Sequence, residues 1–222
     1  MSLILNIDTS LSNASVCLAK DGEPMRMLKN PDQKDHAAWL HPAINELFRE
    51  TGILPNELNA IAVSIGPGSY TGLRVGLASA KGFCFALNIP LITINTLTLL
   101  AYAVKEEATD LVVPMIDARR MEVYTAVFDR EIREKISTHT MILAPGSFSS
   151  LLESNKIIFC GDGIQKAKSL LTNLNASFTD TIADTGHLAC LSQYNFVKNQ
   201  FASLAYTEPL YVKEFHSPDQ KS

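Results

Sequence analysis

The feature that most constrains the fold is the order of secondary-structure patterns in the first hundred residues. Three short apolar stretches separated by turn-forming residues open the chain, which predicts an antiparallel three-stranded meander. Helix and strand patterns then alternate, as they do in a sheet covered by helices. The predicted strands are LILNID, ASVCLA, MRMLK, 60–65 and PLITI, and the predicted helices are 36–50, with Pro42 as a kink, and 71–87.

The second half of the chain is shorter and less regular. Charge clusters in AVKEEATD, which indicates a boundary between two lobes. We expect an N-terminal lobe at 1–103, a smaller second lobe at 104–213 and a disordered tail at 214–222. No internal repeat is visible. Strands are predicted at LVVPMID, EVYTAVF, REKISTH and KIIFCGDG, and helices near 148–153, 165–172 and 185–198.

This order of elements predicts the fold class. A three-stranded meander followed by α-β-α-β is the order of an actin-like or ribonuclease-H-like lobe. We therefore expect an α/β protein with an actin-like (ribonuclease-H-like, ASKHA) two-lobe fold, in which mixed sheets are flanked by helices.

Composition argues against several classes of function. The net charge of −4 is unfavourable for strong nucleic-acid binding by this chain alone, because phosphate contacts need clustered Lys and Arg. No apolar run reaches the roughly 18 residues of a membrane span, and MSLILNIDTS is typical of a strand, not of a signal peptide. The four cysteines include no C-x-x-C pair. We expect a cytoplasmic protein with reduced core thiols and no membrane contact.

A glycine-rich segment, GPGSYTGLRVG, joins the strand at 60–65 to the helix at 71–87. Its spacing, G-x-G-x-x-x-G, departs from the dinucleotide fingerprint, and Leu73 and Arg74 stand where a phosphate-binding P-loop needs Lys and Ser or Thr. An anion at the start of the helix remains an alternative, because backbone N–H groups point outward there.

The helix at 71–87 is apolar on nearly every side. One stripe should face the sheet: Leu73, Leu77, Ala80, Cys84 and Leu87. Only Arg74 and Lys81 carry charge, so the helix should be buried on more than one side, either by a partner or by the second lobe. Trp39, the only tryptophan, points away from the core stripe of the helix at 36–50, which favours an interface slightly over a position under a loop.

Two polar segments are candidates for chemistry. Asp8, Thr9 and Ser10 end the first strand, where actin-like folds hold the phosphates of ATP; a capped β-turn explains the same residues. IDARRMEVY, whose charged positions run from Asp117 to Glu122, favours a structural ion-pair network over a functional edge. His36 and His41 are five residues apart, which does not suit a metal site on one helix face.

Four segments together resemble the TsaB (YeaZ) family of bacterial proteins. They are ILNIDTSLSNASVCLAKDG, HAAWLHPAI, SIGPGSYTGLRVGLASAKGFCFALNIPLITINTLTLLA and VVPMIDARRMEVYTAVFD, with YVK near the end. The resemblance implies a two-lobe actin-like fold related to the enzyme TsaD. Thr96 and Leu100 stand where TsaD-like proteins carry two metal-binding histidines, so the resemblance implies a paralogue with no catalytic residue, metal or cofactor.

The resemblance also implies partners. The chain would bind and activate a TsaD-type enzyme that makes threonylcarbamoyladenosine (t6A) in tRNA, next to the anticodon. A TsaE-type ATPase would bind the pair, a homodimer is an alternative state, and tRNA would be contacted only within the complex. The helices at 36–50 and 71–87 would form the interface. Its candidate residues are Trp39, Gly72, Val75, Gly76, Ser79, Ala80 and Phe83.

Two other functions stay open at the level of sequence. The chain would be an actin-like ATPase or kinase if the hairpin at Asp8 held nucleotide. A metal-dependent peptidase is the other possibility, because the wider family has been labelled glycoproteases, but the missing histidine pair argues against it. The partner interpretation makes a distinct prediction for Gly76→Leu, which should prevent dimer formation and leave the monomer folded.

Overall fold

A computed structural model describes residues 1–30 and 35–213. The first half follows the predicted order and adds one helix, at its end, that the sequence did not indicate. Its elements are β1 (Leu3–Asp8), β2 (Ser15–Lys20), β3 (Glu23–Lys29), α1 (His36–Thr51), β4 (Ala60–Ser64), α2 (Tyr70–Leu87), β5 (Leu91–Ile94) and α3 (Thr96–Ala103). The predicted tail at 214–222 lies outside the described residues.

The first sheet has the strand order β3-β2-β1-β4-β5. β1 pairs antiparallel with β2 and parallel with β4, so the meander and the crossover units share β1. Alternate residues of the central strands face opposite sides of the sheet. Leu5 and Ile7 pack toward α1 and α2, whereas Ile4 packs toward the second half of the chain.

The second half contains five more strands and three more helices. Its elements are β6 (Leu111–Asp117), β7 (Glu122–Asp129), β8 (Glu134–Ile142), α4 (Ser149–Leu152), β9 (Ile157–Cys160), α5 (Ile164–Ala167), β10 (Ala176–Phe178) and α6 (Thr185–Val197). The sequence did not predict β10, because three residues are too few to show an alternating pattern.

The two halves share one topology. The second sheet has the order β10-β9-β6-β7-β8, which, read from β8, is the order of the first sheet. β6 pairs antiparallel with β7 and parallel with β9, as β1 does with β2 and β4. The fold is therefore a duplication of one topology. The duplication is not visible in the sequence, because the two halves share the pairing of their strands but not the types of residue in them.

Helices α3 and α6 lie between the two sheets. A single hydrophobic core joins side chains of both sheets, including Ile4, Ile92, Val112 and Phe128, with residues of the two helices. This explains why α3 shows no amphipathic pattern: a helix covered on several sides needs no polar face.

Helix α6 packs on the first sheet, although it lies within the segment 104–213 that was predicted to form the second lobe. The Ser192 hydroxyl donates to the side-chain oxygen of Asn6 at 2.7 Å, and the Thr185 N–H donates to the Ser15 hydroxyl at 3.1 Å. The chain thus returns to the first lobe after completing the second sheet.

The outer faces carry the remaining helices. α1 and α2 cover the outer face of the first sheet, and α4 and α5 cover that of the second. Ser69 caps α2 by accepting the Gly72 N–H at 3.2 Å, and Asn88 ends it in the left-handed conformation. No helix within residues 1–30 and 35–213 is long and apolar enough to cross a bilayer.

Candidate functional site

The carboxyl ends of four strands meet at the cleft between the lobes. Asp8 ends β1 and Asp117 ends β6, and glycine turns with positive φ follow β4 and β9 at Gly66 and Gly161. Both hairpins and the start of α2 line an open cleft of about 670 Å³. The duplication therefore places each acidic strand end next to a glycine turn.

Asp8 is buried and engaged within its own lobe. Its Oδ1 accepts hydrogen bonds from the Ser10 N–H at 3.0 Å, from the Ser10 hydroxyl at 2.7 Å and from the Ser64 hydroxyl. The carboxylate thus fixes the turn from β1 and ties it to β4, as the capped-turn interpretation predicts. The second interpretation, a vestigial nucleotide hairpin at Asp8, Thr9 and Ser10, stays a prediction.

The glycines of GPGSYTGLRVG accommodate this hairpin. A Cβ atom added at Gly68 would lie 2.2 Å from the Ser10 carbonyl oxygen, and one at Gly72 would lie 2.0 Å from that of Thr9. One at Gly76 would lie 2.3 Å from Thr9 Oγ1. Gly72 and Gly76, four residues apart, share one face of α2, and Gly68 precedes the helix; the hairpin lies against all three.

Three of the predicted interface residues lie inside the chain. Gly72, Gly76 and Ala80 are buried, against the hairpin and the first sheet. The effect of Gly76→Leu on dimer formation stays a prediction, and the structure adds that a larger side chain at this position would meet Thr9 of the same chain. The spacing correctly indicated close backbone contact, but it did not reveal that the contact is internal.

The start of α2 is occupied by the hairpin as well. The Ser69 N–H donates to the Ser10 carbonyl at 2.7 Å, and the Thr9 hydroxyl donates to the Gly72 carbonyl at 2.7 Å. The Ser69 N–H is therefore engaged within the chain, and the alternative of an anion at the start of the helix stays a prediction.

The other predicted interface residues, Trp39, Val75, Ser79 and Phe83, are half-buried where α1 meets α2. The Ser79 hydroxyl lies 3.1 Å from Nε2 of His41, and the rings of His41 and Phe83 are 6.3 Å apart. These contacts hold the two helices together.

Beside its contact with α1, helix α2 has an exposed stripe that we call the outer face: Ala78, Gly82, Phe85 and Ala86. The Phe85 side chain is 82 % exposed. The two cations of α2 are held by the C-terminal segment, since Lys81 donates to the Thr207 carbonyl at 3.2 Å and Arg74 to the Tyr211 hydroxyl at 2.9 Å. The interface prediction omitted these four residues, although Phe85 and Ala86 follow Gly82 by three and four residues and Gly82 follows Ala78 by four, which places them on one stripe.

The two acidic residues of the segment from Asp117 to Glu122 form ion pairs with lysines from outside it. Asp117 pairs with Lys166 at 2.7 Å, and Glu122 pairs with Lys213. Burial alone would raise the pKa of Asp117, but the Lys166 ammonium and the Arg119 N–H outweigh it and lower that pKa. Burial raises the pKa of the neighbouring Asp162 carboxyl. This end of the second sheet thus carries two carboxylates that are paired with lysines, Asp117 and Glu122, and a third carboxyl, Asp162, whose charged form is disfavoured.

Within the part of the chain that the structure describes, no group of three or more His, Cys, Asp or Glu could hold a metal. Thr96 and Leu100 are buried in α3. Nε2 of His36 lies 3.0 Å from the Leu11 carbonyl, and His41 contacts Ser79. Both histidines therefore serve local packing.

Comparison with known proteins agrees with this geometry. A family model described as TsaD, tRNA N6-adenosine threonylcarbamoyltransferase, matches residues 31–205. The tRNA threonylcarbamoyladenosine biosynthesis protein TsaB of Haemophilus influenzae is 30% identical over 95% of this chain and 93% of its own length. The TsaB protein of Bacillus subtilis is 27% identical over 90% and 86%. The solved structure of YeaZ from Pseudomonas aeruginosa superposes with a TM-score of 0.81, at 25% identity over 95% of this chain and 100% of that one.

The fold and its cleft define an α/β protein of the actin-like (ASKHA) class, with two topologically equivalent sheets and a helical layer between them. The relatives narrow this class further. The chain belongs to the TsaB (YeaZ) family, which lies within the wider family of the matching TsaD model.

Proposed function

We propose that the chain is a non-catalytic partner that binds a TsaD-type enzyme and supports t6A formation in tRNA. Support comes from the name of its relatives, a biosynthesis protein for threonylcarbamoyladenosine, and from the TsaD description of the matching family model. A chain related to the enzyme, yet lacking its histidine pair, is suited to binding the enzyme and not to replacing it.

The observation that carries this proposal is the outer face of α2. A phenylalanine that is 82 % exposed stands on a stripe of Ala and Gly residues without a charged side chain. Small residues let a second helix approach closely, and an exposed aromatic side chain is a typical anchor of a protein interface. Because α1 and the sheet already cover the other faces of α2, a partner is the remaining way to bury this stripe.

The proposed mechanism is support by docking. The TsaD-type enzyme transfers the threonylcarbamoyl group from an adenylate to the adenine next to the anticodon, and this chain holds the enzyme in its active form through α1 and α2. A TsaE-type ATPase binds the pair and allows repeated turnover. In this scheme tRNA meets the chain only within the complex, in the cytoplasm, and a homodimer through the same face competes with the enzyme.

Reconstitution tests this function directly. The TsaD-type and TsaE-type proteins of the same organism are incubated with tRNA, the adenylate-forming enzyme and its substrates, with and without this chain, and t6A is measured in digested tRNA. We expect t6A to form repeatedly only when the chain is present. Equal t6A yield without the chain would contradict the proposal. ATP hydrolysis by the pure chain that is lost in Asp8→Ala would instead favour the ATPase alternative.

A further inference from the structure

A second cleft, of about 970 Å³, lies apart from the hairpins and the outer face. Its walls are the end of β5, helix α3 with the turn after it, helix α6 and the turn from β7 to β8. It shares no lining residue with the cleft at Asp8 or with the exposed stripe of α2. Its volume is in the range of small-molecule sites in proteins.

The cleft has aromatic walls and an apolar floor. Tyr102 of α3 and Tyr194 of α6 line it, and Leu191 and Ile132 line it where they pack against the core between the sheets. Tyr rings offer flat apolar surface together with a polar hydroxyl. This lining suits a flat organic group better than a hydrated inorganic ion.

The charges at the rim are mainly positive. Arg130 and Arg133 line the cleft, and neither guanidinium has a hydrogen bond or an ion pair within residues 1–30 and 35–213. The Lys105 ammonium lies 4.5 Å above the Tyr102 ring. Two carboxylates also line the cleft. Glu106 is 88% exposed and pairs with Lys105 at 3.7 Å, whereas Glu131 forms no ion pair within the described residues. Guanidinium groups bind carboxylates and phosphates through paired hydrogen bonds.

The turn that presents the arginines is held in place. The Asp129 carboxylate accepts the N–H groups of Glu131 at 3.0 Å and of Arg133 at 2.8 Å. Ile132 has a φ of 61°, which a β-branched residue rarely adopts, and its side chain packs on the core between the sheets. Core packing thus holds an unfavourable backbone, which is typical of turns that position functional side chains.

We propose that this cleft binds a small organic anion, with its carboxylate or phosphate between Arg130 and Arg133 and its flat group between Tyr102 and Tyr194. The site is independent of the proposed binding of a TsaD-type enzyme, since the two surfaces share no residue. Loss of one activity would leave the other measurable.

Cys190 supplies a local reporter for this site. It lines the cleft and is exposed, whereas Cys17, Cys84 and Cys160 are buried. Burial raises the pKa of the Cys17 and Cys84 thiols to about 12 and about 11, so these two stay protonated and unreactive near neutral pH. Disulfide reagents in the folded protein should therefore react at Cys190.

The test compares the rates at which Cys190 reacts with two aromatic disulfides, anionic dithio-bis-nitrobenzoate and uncharged dithiodipyridine. A site for anions should favour the anionic reagent, and the ratio of the two rates should fall about tenfold in the double variant Arg130→Gln/Arg133→Gln. The matched control is Arg119→Gln/Arg120→Gln, which removes two exposed arginines that do not line this cleft and should leave the ratio unchanged.

Protection of the thiol is the second measurement. Phenyl phosphate should slow the reaction of Cys190 with the uncharged reagent, whereas inorganic phosphate at the same concentration should not. A rate ratio unaffected by Arg130→Gln/Arg133→Gln, in a variant whose thermal unfolding matches the parent, would overturn the proposal. Equal protection by both phosphates would overturn the assignment of the flat group to the tyrosine walls.

Discussion

At the scale of single residues, Thr9 is the residue of the β1–β2 hairpin that packs against the glycine-rich segment. Its carbonyl and hydroxyl oxygens occupy the space that side chains at Gly72 and Gly76 would need. Its hydroxyl also donates to the Gly72 carbonyl at 2.7 Å. The glycines therefore allow the hairpin from β1 to lie directly on α2, and this contact shapes the cleft between the lobes.

This account makes opposite predictions for two glycines of the same helix. Gly72→Ala should destabilise the protein by about 3 kcal/mol, because the new Cβ meets backbone that can relax only by moving the hairpin. A Cβ atom added at Gly82 would meet open space, with no neighbouring atom within 4 Å. Gly82→Ala should therefore stabilise the protein by about 1 kcal/mol through helix propensity. Urea unfolding measures both; a neutral Gly72→Ala would contradict the packing role.

At the scale of elements, the start of α6 depends on a charged cap. Asp184 accepts the Gly186 N–H at 3.0 Å and pairs with Lys29 at 2.9 Å and with His187 at 3.0 Å. Burial alone would raise the pKa of Asp184, but the contacts with His187 and Lys29 outweigh it and hold that pKa far below its usual range. The cap therefore attaches α6 to β3 of the first lobe as well as starting the helix.

The lowered pKa sets a pH window for this contribution. Because the folded pKa lies below the unfolded value of about 3.9, the stabilisation is complete above roughly pH 5 and is lost as the pH falls below it. Asp184→Asn should cost about 1–2 kcal/mol at pH 7, and the difference from the parent should shrink at pH 3. Asp180→Asn is the control, since Asp180 is 75% exposed. A pH-independent difference for Asp184→Asn would contradict this assignment.

The helices also show which parts of the packing could be predicted from the sequence and which could not. The stripe of α2 that faces the sheet, with Leu77, Ala80 and Cys84, was predictable because a period of 3.6 residues indicates which helix face is buried. The same period could not distinguish a hairpin of the same chain from a partner at Gly72 and Gly76, which lie against the hairpin. Helix α3 escaped prediction because burial on several sides removes the polar face that marks a helix.

At the scale of the whole molecule, the lobes are interlocked and not joined by a simple linker. α6 follows the second sheet in the chain but packs on the first, and α3 packs between both. Contacts between distant segments of this kind cannot be derived from local patterns. The predicted boundary at 103–104 stays a prediction, and α6, which follows it in the chain, packs on the first sheet.

Interlocking predicts a single unfolding transition. Trp39, the only tryptophan, reports on the first lobe, whereas far-ultraviolet circular dichroism reports on all helices and sheets. The two signals should give coincident curves in urea, because neither sheet keeps its core without the helices between them. A fragment of residues 1–103, which lacks α6, should not unfold cooperatively. Two separated transitions of the full chain would contradict this.

The central claim is that the outer face of α2 binds a TsaD-type enzyme, and light-scattering mass tests it most directly. The chain is measured alone and mixed with the TsaD-type protein of the same organism, as parent, as Phe85→Glu and as the control Tyr206→Glu, whose side chain is 87% exposed on the C-terminal segment. We expect a heterodimer with parent and control, and affinity at least about 30-fold weaker with Phe85→Glu. Undiminished association of Phe85→Glu, or no association of the parent, would contradict the account.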